Sequence, residues 1–214
     1  MEENLHDEIR EIKKSLRLSM NGVVSTLQRR QGLDYKINFG VELPRLKGIA
    51  NAHAKSRELA TALWQDDIRE CKMLAIMLMP EEGYADVAEK WISETRFTEI
   101  ADLLAMNMLC RLPDAIDKAL QWAGRSDGLY RYCGFITISH ALRRGVTISS
   151  SQETALFGNI ITMPFGDSVT RKCADNAILY YIDRTQGAAE RLKDALKTEP
   201  GDINGIGLFI DNIE

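Results

Sequence analysis

The chain has 214 residues, of which 45% are hydrophobic, 27% charged and 7% aromatic, with 15 glycines and 5 prolines. That composition excludes collagen-like, low-complexity and wholly disordered chains, and a single domain of this size buries about 70% of the surface its unfolded chain exposes. Lys and Arg number 27 against 31 Asp and Glu, a net charge of -4 that argues against coating nucleic acid by bulk electrostatics, but the charge is polarised: residues 10–55 carry ten basic and three acidic side chains, residues 81–117 three and nine.

Helical periodicity dominates and strand alternation is nearly missing, so the expected class is all-α. Leu5, Ile9, Ile12, Leu16 and Met20 recur at helical spacing and form the apolar stripe of an N-terminal helix, followed by a connection from Gly32 to Asn38. Pro44, Pro80 and Pro113 each stand near the start of an apolar-periodic segment, where the missing N–H costs nothing. Helices are predicted at about 44–51, 55–65, 67–79, 82–93, 98–111, 113–123, 127–143, 150–161, 167–184 and 187–197. Successive pairs begin near Asp67, Thr98, Asp127 and Asp167, about 31, 29 and 40 residues apart, close to the periods of helical-repeat folds. Met73 to Met79 is apolar all round, as befits an inner helix of a stack covered on both flanks. The expected organisation is one domain over 1–214: a helical cap at 1–38, a repeat stack at 39–197 and a tail at 198–214, where Leu208-Phe209-Ile210 is expected to dock back on the last helix, with a partner contact as the alternative.

The chemistry is sparse. No Ser-His-Asp order, phosphate loop, zinc signature or dinucleotide fingerprint occurs. Cys71, Cys110, Cys133 and Cys173 lack metal or redox spacing, and His6, His53 and His140 lack ligand spacing. No metal or cofactor is expected. The first twenty residues fit neither a signal nor a transit peptide, and the longest apolar run, Met73 to Pro80, is too short to span a bilayer; the expectation is a reduced, cytoplasmic protein. Trp64, Trp91 and Trp122 are expected in the core. One carboxylate stands out: Asp102 lies in the nearly apolar segment Ile100 to Leu109. It must be paired, protonated, lining a polar cleft, or favoured by the helix dipole one turn in from a Thr98 N-cap.

The blocks Phe39-Gly40-Val41-Glu42-Leu43-Pro44-Arg45-Leu46-Lys47-Gly48-Ile49-Ala50, Glu58-Leu59-Ala60-Thr61-Ala62-Leu63-Trp64 and Ile68-Arg69-Glu70-Cys71-Lys72-Met73-Leu74-Ala75 resemble the DNA alkylation repair family of HEAT-like DNA glycosylases. Trp91, the Asp102 helix ending Met106-Asn107-Met108-Leu109, Lys118 to Ala123 and Cys133-Gly134-Phe135 follow in the family's order. The resemblance covers about residues 39–184 and implies a curved superhelical stack of HEAT-like antiparallel helix pairs whose concave basic face holds duplex DNA. Its substrate class is purines alkylated at N3 or N7, whose positive charge already weakens the glycosidic bond. A fixed carboxylate stabilises the oxocarbenium character that develops on the sugar and orients a water, and aromatic rings favour the cationic base. The base is not inserted into a tight pocket.

The resemblance assigns that carboxylate to Asp102. At three other positions the chain departs from the pattern. Thr98, with Phe97 beside it, stands where the family has a tryptophan; Tyr132, with Arg131 beside it, replaces an arginine; Asn176, three residues after Cys173, replaces a second tryptophan. Phe97, Thr98, Arg131, Tyr132 and Asn176 are therefore candidate lesion-binding residues, and Arg45 and Lys47, in the basic N-terminal region, candidate DNA contacts. Arg29-Arg30 and Arg143-Arg144 fit solvated helix ends, where cations suit the dipole. Two readings follow: a divergent alkylpurine glycosylase hydrolysing the N-glycosidic bond, or a catalytically silent HEAT-like scaffold binding a protein partner or DNA shape.

Overall fold

The computed structural model describes residues 2–163 and 168–198. Among these, every regular element is a helix, with one isolated parallel bridge between Ile37 and Ile68. The expected docking of the tail falls outside the described residues. Contacts cluster into two compact units, Met1–Trp91 and Ile92–Glu214.

The first unit contains α1 (Glu2–Leu18), α2 (Gly22–Arg30), α3 (Leu43–Ala50), α4 (Arg57–Gln65) and α5 (Arg69–Leu78), and ends within α6 (Tyr84–Glu94). The N-terminal stripe is shorter than its periodicity suggests. Asn21 interrupts it by turning its side chain to accept the Val24 N–H at 3.2 Å, which caps a new helix and leaves Met20 exposed. Pro44 sits in the first turn of α3, and Ser56 caps α4 by accepting the Leu59 N–H. On α5, Met73, Leu74, Ala75, Ile76 and Leu78 are all buried, as an inner helix requires. Trp64 and Trp91 are fully enclosed and stack with ring centroids 4.3 Å apart; Trp122, in the second unit, is also core.

A buried carboxylate fixes the start of the family-like region. Glu70 accepts the Phe39 and Val41 N–H groups at 3.1 and 3.2 Å and pairs with Arg69 at 3.2 Å, while Arg69 also donates to the Val41 carbonyl. With its charge paired and its oxygens hydrogen-bonded, Glu70 is tolerable in the core and clamps segment 37–41 onto α5.

The second unit carries α7 (Thr98–Asn107), α8 (Ala115–Ala123), α9 (Gly128–Arg143), α10 (Ser150–Ile161), α11 (Ser168–Ile182) and α12 (Ala188–Thr198). They pack as two layers of helix pairs. Helix α9 lies against α7 and α11 in one layer, α10 against α8 and α12 in the other, and α8 against α9 across the layers. The predicted helix 98–111 is split, since α7 stops at Asn107 and a 3-10 turn follows at Leu109–Arg111. Helix α9 is buried nearly all round, from Tyr132 to Leu142. Its contact with α8 depends on Gly134, where an added Cβ would lie 2.4 Å from the Ala123 nitrogen and 2.5 Å from the Ala119 oxygen. In the other layer Arg191 makes a two-pronged contact with Glu153 at 2.7 and 2.8 Å, and the Tyr181 hydroxyl donates to the same carboxylate, which ties α10, α11 and α12 together. Arg191 above all holds the Glu153 carboxyl below its ordinary pKa.

Candidate nucleic-acid interface

Helix α7 opens at Phe97, whose extended backbone makes it the N-cap. Thr98 is the first helical residue, and no side chain caps the end. The expectation of a Thr98 cap is therefore corrected: the chain enters from Phe97, half-buried under the Arg96 guanidinium 5.3 Å from its ring centroid, and Thr98 faces solvent. Asp102 follows one turn later, half-buried.

Opposite it, Asp127 caps α9 by accepting the Leu129 and Tyr130 N–H groups, which starts the helix so that Tyr132 turns inward. The Tyr132 hydroxyl donates to Asp102 Oδ1 at 2.6 Å. Of the four states open to Asp102 on the sequence, the structure takes the paired one, with a neutral phenol as the partner. No Lys or Arg of the described residues forms an ion pair with the carboxylate.

The electrostatics follow from that pairing. Burial pushes the Asp102 carboxyl above the ordinary aspartate value. The Tyr132 hydrogen bond and nearby His140 pull it back, while Glu99 adds to the rise. Burial, with the carboxylate beside it, pushes the Tyr132 hydroxyl far up, so it stays a donor. Burial and the same negative charge raise the thiols of Cys133 and Cys173 to about 12, and these two are structural rather than reactive. All four cysteines are free and buried. His140 is pulled below its usual value by burial first and by Arg143 second.

Asp102 on α7, Tyr132 on α9 and Cys173 on α11 thus come together on one layer of the second unit. Asn176, three residues past Cys173, is exposed on α11, and Arg131 is half-buried on α9 without a bond to Asp102. Arg45 and Lys47 belong to the first unit, both exposed on α3, where Arg45 Nε donates to Ser19 Oγ at 2.9 Å. His140 on α9 also stands near Asp102, a neighbour that the sequence reading does not include because no spacing along the chain links α9 to α7. Clefts in the second unit open between α8 and α10 and between α10 and α12; Asp102 lines neither. Among the described residues no cluster of three or more His, Cys, Asp or Glu could hold a metal, and no helix is long and apolar enough to cross a membrane.

No curated protein matches the chain significantly. One solved structure superposes with a TM-score of 0.70 at 18% identity, over 87% of this chain and 82% of its own; its protein is described as from "a new family of proteins related to the HEAT-like repeat DNA glycosylases with affinity for branched DNA structures". At that identity the likeness establishes the fold, a HEAT-like arrangement of helix pairs. The model of the DNA alkylation repair enzyme family matches residues 29–171, more than half of the chain. The chain belongs to the DNA alkylation repair enzyme family.

Proposed function

We propose that this protein binds DNA by shape, with a preference for branched over linear duplex, and does not excise alkylated purines. The observation that carries this reading is the Asp102–Tyr132 hydrogen bond. Stabilising an oxocarbenium ion needs an ionised carboxylate aimed at the sugar. Here the carboxylate is half-buried, one of its oxygens is taken by the Tyr132 hydroxyl, and no basic side chain of the described residues forms an ion pair with it. The positions for ring contacts to a cationic base hold Thr98 and Asn176, neither of them aromatic. The preference for branched DNA rests on the affinity described for the structural neighbour, and the basic residues Arg45 and Lys47 are proposed contacts to the backbone.

Glycosylase action remains the competing reading because Asp102 keeps partial exposure on the same layer as Phe97 and Asn176. The test is release of 3-methyladenine and 7-methylguanine from methylated duplex DNA by the wild type and by Asp102→Asn. Shape recognition predicts no release above the spontaneous rate by either protein. Release by the wild type that falls about a hundredfold or more in Asp102→Asn, the loss typical of a removed electrostatic stabiliser, would establish the glycosylase instead.

A further inference from the structure

Arg143-Arg144 is a pair that a helix end would account for, but its surroundings go further than a helix end requires. Gly145 adopts φ +85° and stops α9, and the Val146 N–H returns to the Ala141 carbonyl, so Arg143 and Arg144 stand on the last turn. Tyr180 on the neighbouring α11, and Arg184 in the turn two residues past the end of that helix, reach the same place. The Arg143 guanidinium lies 4.6 Å and that of Arg184 4.3 Å from the centroid of the one Tyr180 ring. All three arginines are exposed. No carboxylate of the described residues pairs with any of them, and among the described residues neither the Arg143 nor the Arg184 guanidinium donates to a protein acceptor.

The helix dipole explains a cation at each helix end. It does not explain why a guanidinium from the end of α9 and one from the turn after α11 converge on one ring, since like charges gathered without a counter-ion repel. Cation–π contact offsets part of that repulsion and leaves the guanidinium N–H groups available to an anion. The ligand that suits two such forks is an anion with several spaced oxygens, as successive phosphates of a nucleic-acid backbone present.

We propose that Arg143, Arg184 and Tyr180, with Arg144 beside them, form a phosphate clamp for the backbone of one DNA arm, separate from the Asp102–Tyr132 pair. The proposal rests on the DNA-binding reading above and assigns it a site. The clamp sits one turn beyond His140 on α9, along the layer that carries Asp102.

The test is a salt titration of the full chain on a fluorescent four-way junction and on a linear duplex of the same arm sequence. The chain is used as wild type, Arg143→Gln/Arg184→Gln and Arg143→Lys/Arg184→Lys, with circular dichroism as a check on folding. Each neutralised phosphate contributes about 0.9 to the slope of log affinity against log salt. The glutamine pair is expected to lower the magnitude of that slope by about 2 and to weaken junction binding tenfold or more at low salt. The lysine pair keeps the slope but loses affinity, because the charge remains and the fork does not. A glutamine pair that binds as tightly as wild type, with an unchanged slope, overturns the clamp and leaves DNA binding standing. A wild type that binds neither DNA even at low salt removes both.

Discussion

The Asp102 carboxyl is set between burial and Glu99, which raise its pKa, and the Tyr132 hydroxyl and His140, which lower it. Because its folded pKa is raised above that of the unfolded chain, its contribution to stability is complete below the unfolded value and is lost as pH rises through the folded one. At pH 7 the ionised form is therefore held at a cost. Asp102→Asn cannot ionise and its amide oxygen can still accept from Tyr132, so the variant is expected to be more stable at pH 7. The gap should close as pH falls toward 4. Paired urea denaturations at the two pH values measure this, and a less stable Asp102→Asn at pH 7 would contradict it. Tyr132→Phe removes the donor that favours the ion and should raise the Asp102 pKa further, read by carboxyl-carbon NMR. At this scale the sequence exposes the anomaly but not its solution. A carboxylate in an apolar helix is visible from its neighbours in the chain, whereas Tyr132 lies thirty residues away on another helix, and only packing brings the two together. The same holds for Arg184, which nothing local connects to Arg143.

Helices were the most legible elements because both their stripes and their stops are local. Ser56, Asp127 and the Ser149–Gln152 capping box announce α4, α9 and α10 in the residues themselves. The break after Leu18 was hidden because Met20 continues the apolar period, and a single capping residue, Asn21, overrides it. Thr98 misled for the opposite reason: it is a good capping residue placed one position inside the helix. The blocks that carry the family resemblance prove to be largely architectural, Glu70 clamping segment 37–41 and Gly134 admitting α8 against α9. Gly134→Ala tests the second point. Its methyl group would overlap backbone atoms of Ala119 and Ala123, which cannot swing aside as a side chain tip can. The expected loss is about 1–3 kcal/mol, the range for overpacked cores, seen as a lower thermal midpoint. A midpoint within a degree of wild type would show that the two helices have slack.

For the molecule as a whole, composition limited the class, and the repeat spacing with the apolar α5 pointed to stacked helix pairs, but neither gave the ligand. The net charge of -4 conceals the positive excess of residues 10–55 and the arginines gathered around Tyr180. Polyanion binding depends on where charge collects rather than on its sum. Family membership supplies DNA as the partner to test, and the altered surroundings of Asp102 shift the expected action from cutting a bond to recognising a shape. The most direct measurement is the ratio of affinities for a four-way junction and for a linear duplex of identical arms, at one fixed moderate salt concentration. Shape recognition predicts tighter binding to the junction by tenfold or more, about 1.4 kcal/mol. Equal affinities for the two, or tighter binding to the linear duplex, would contradict it.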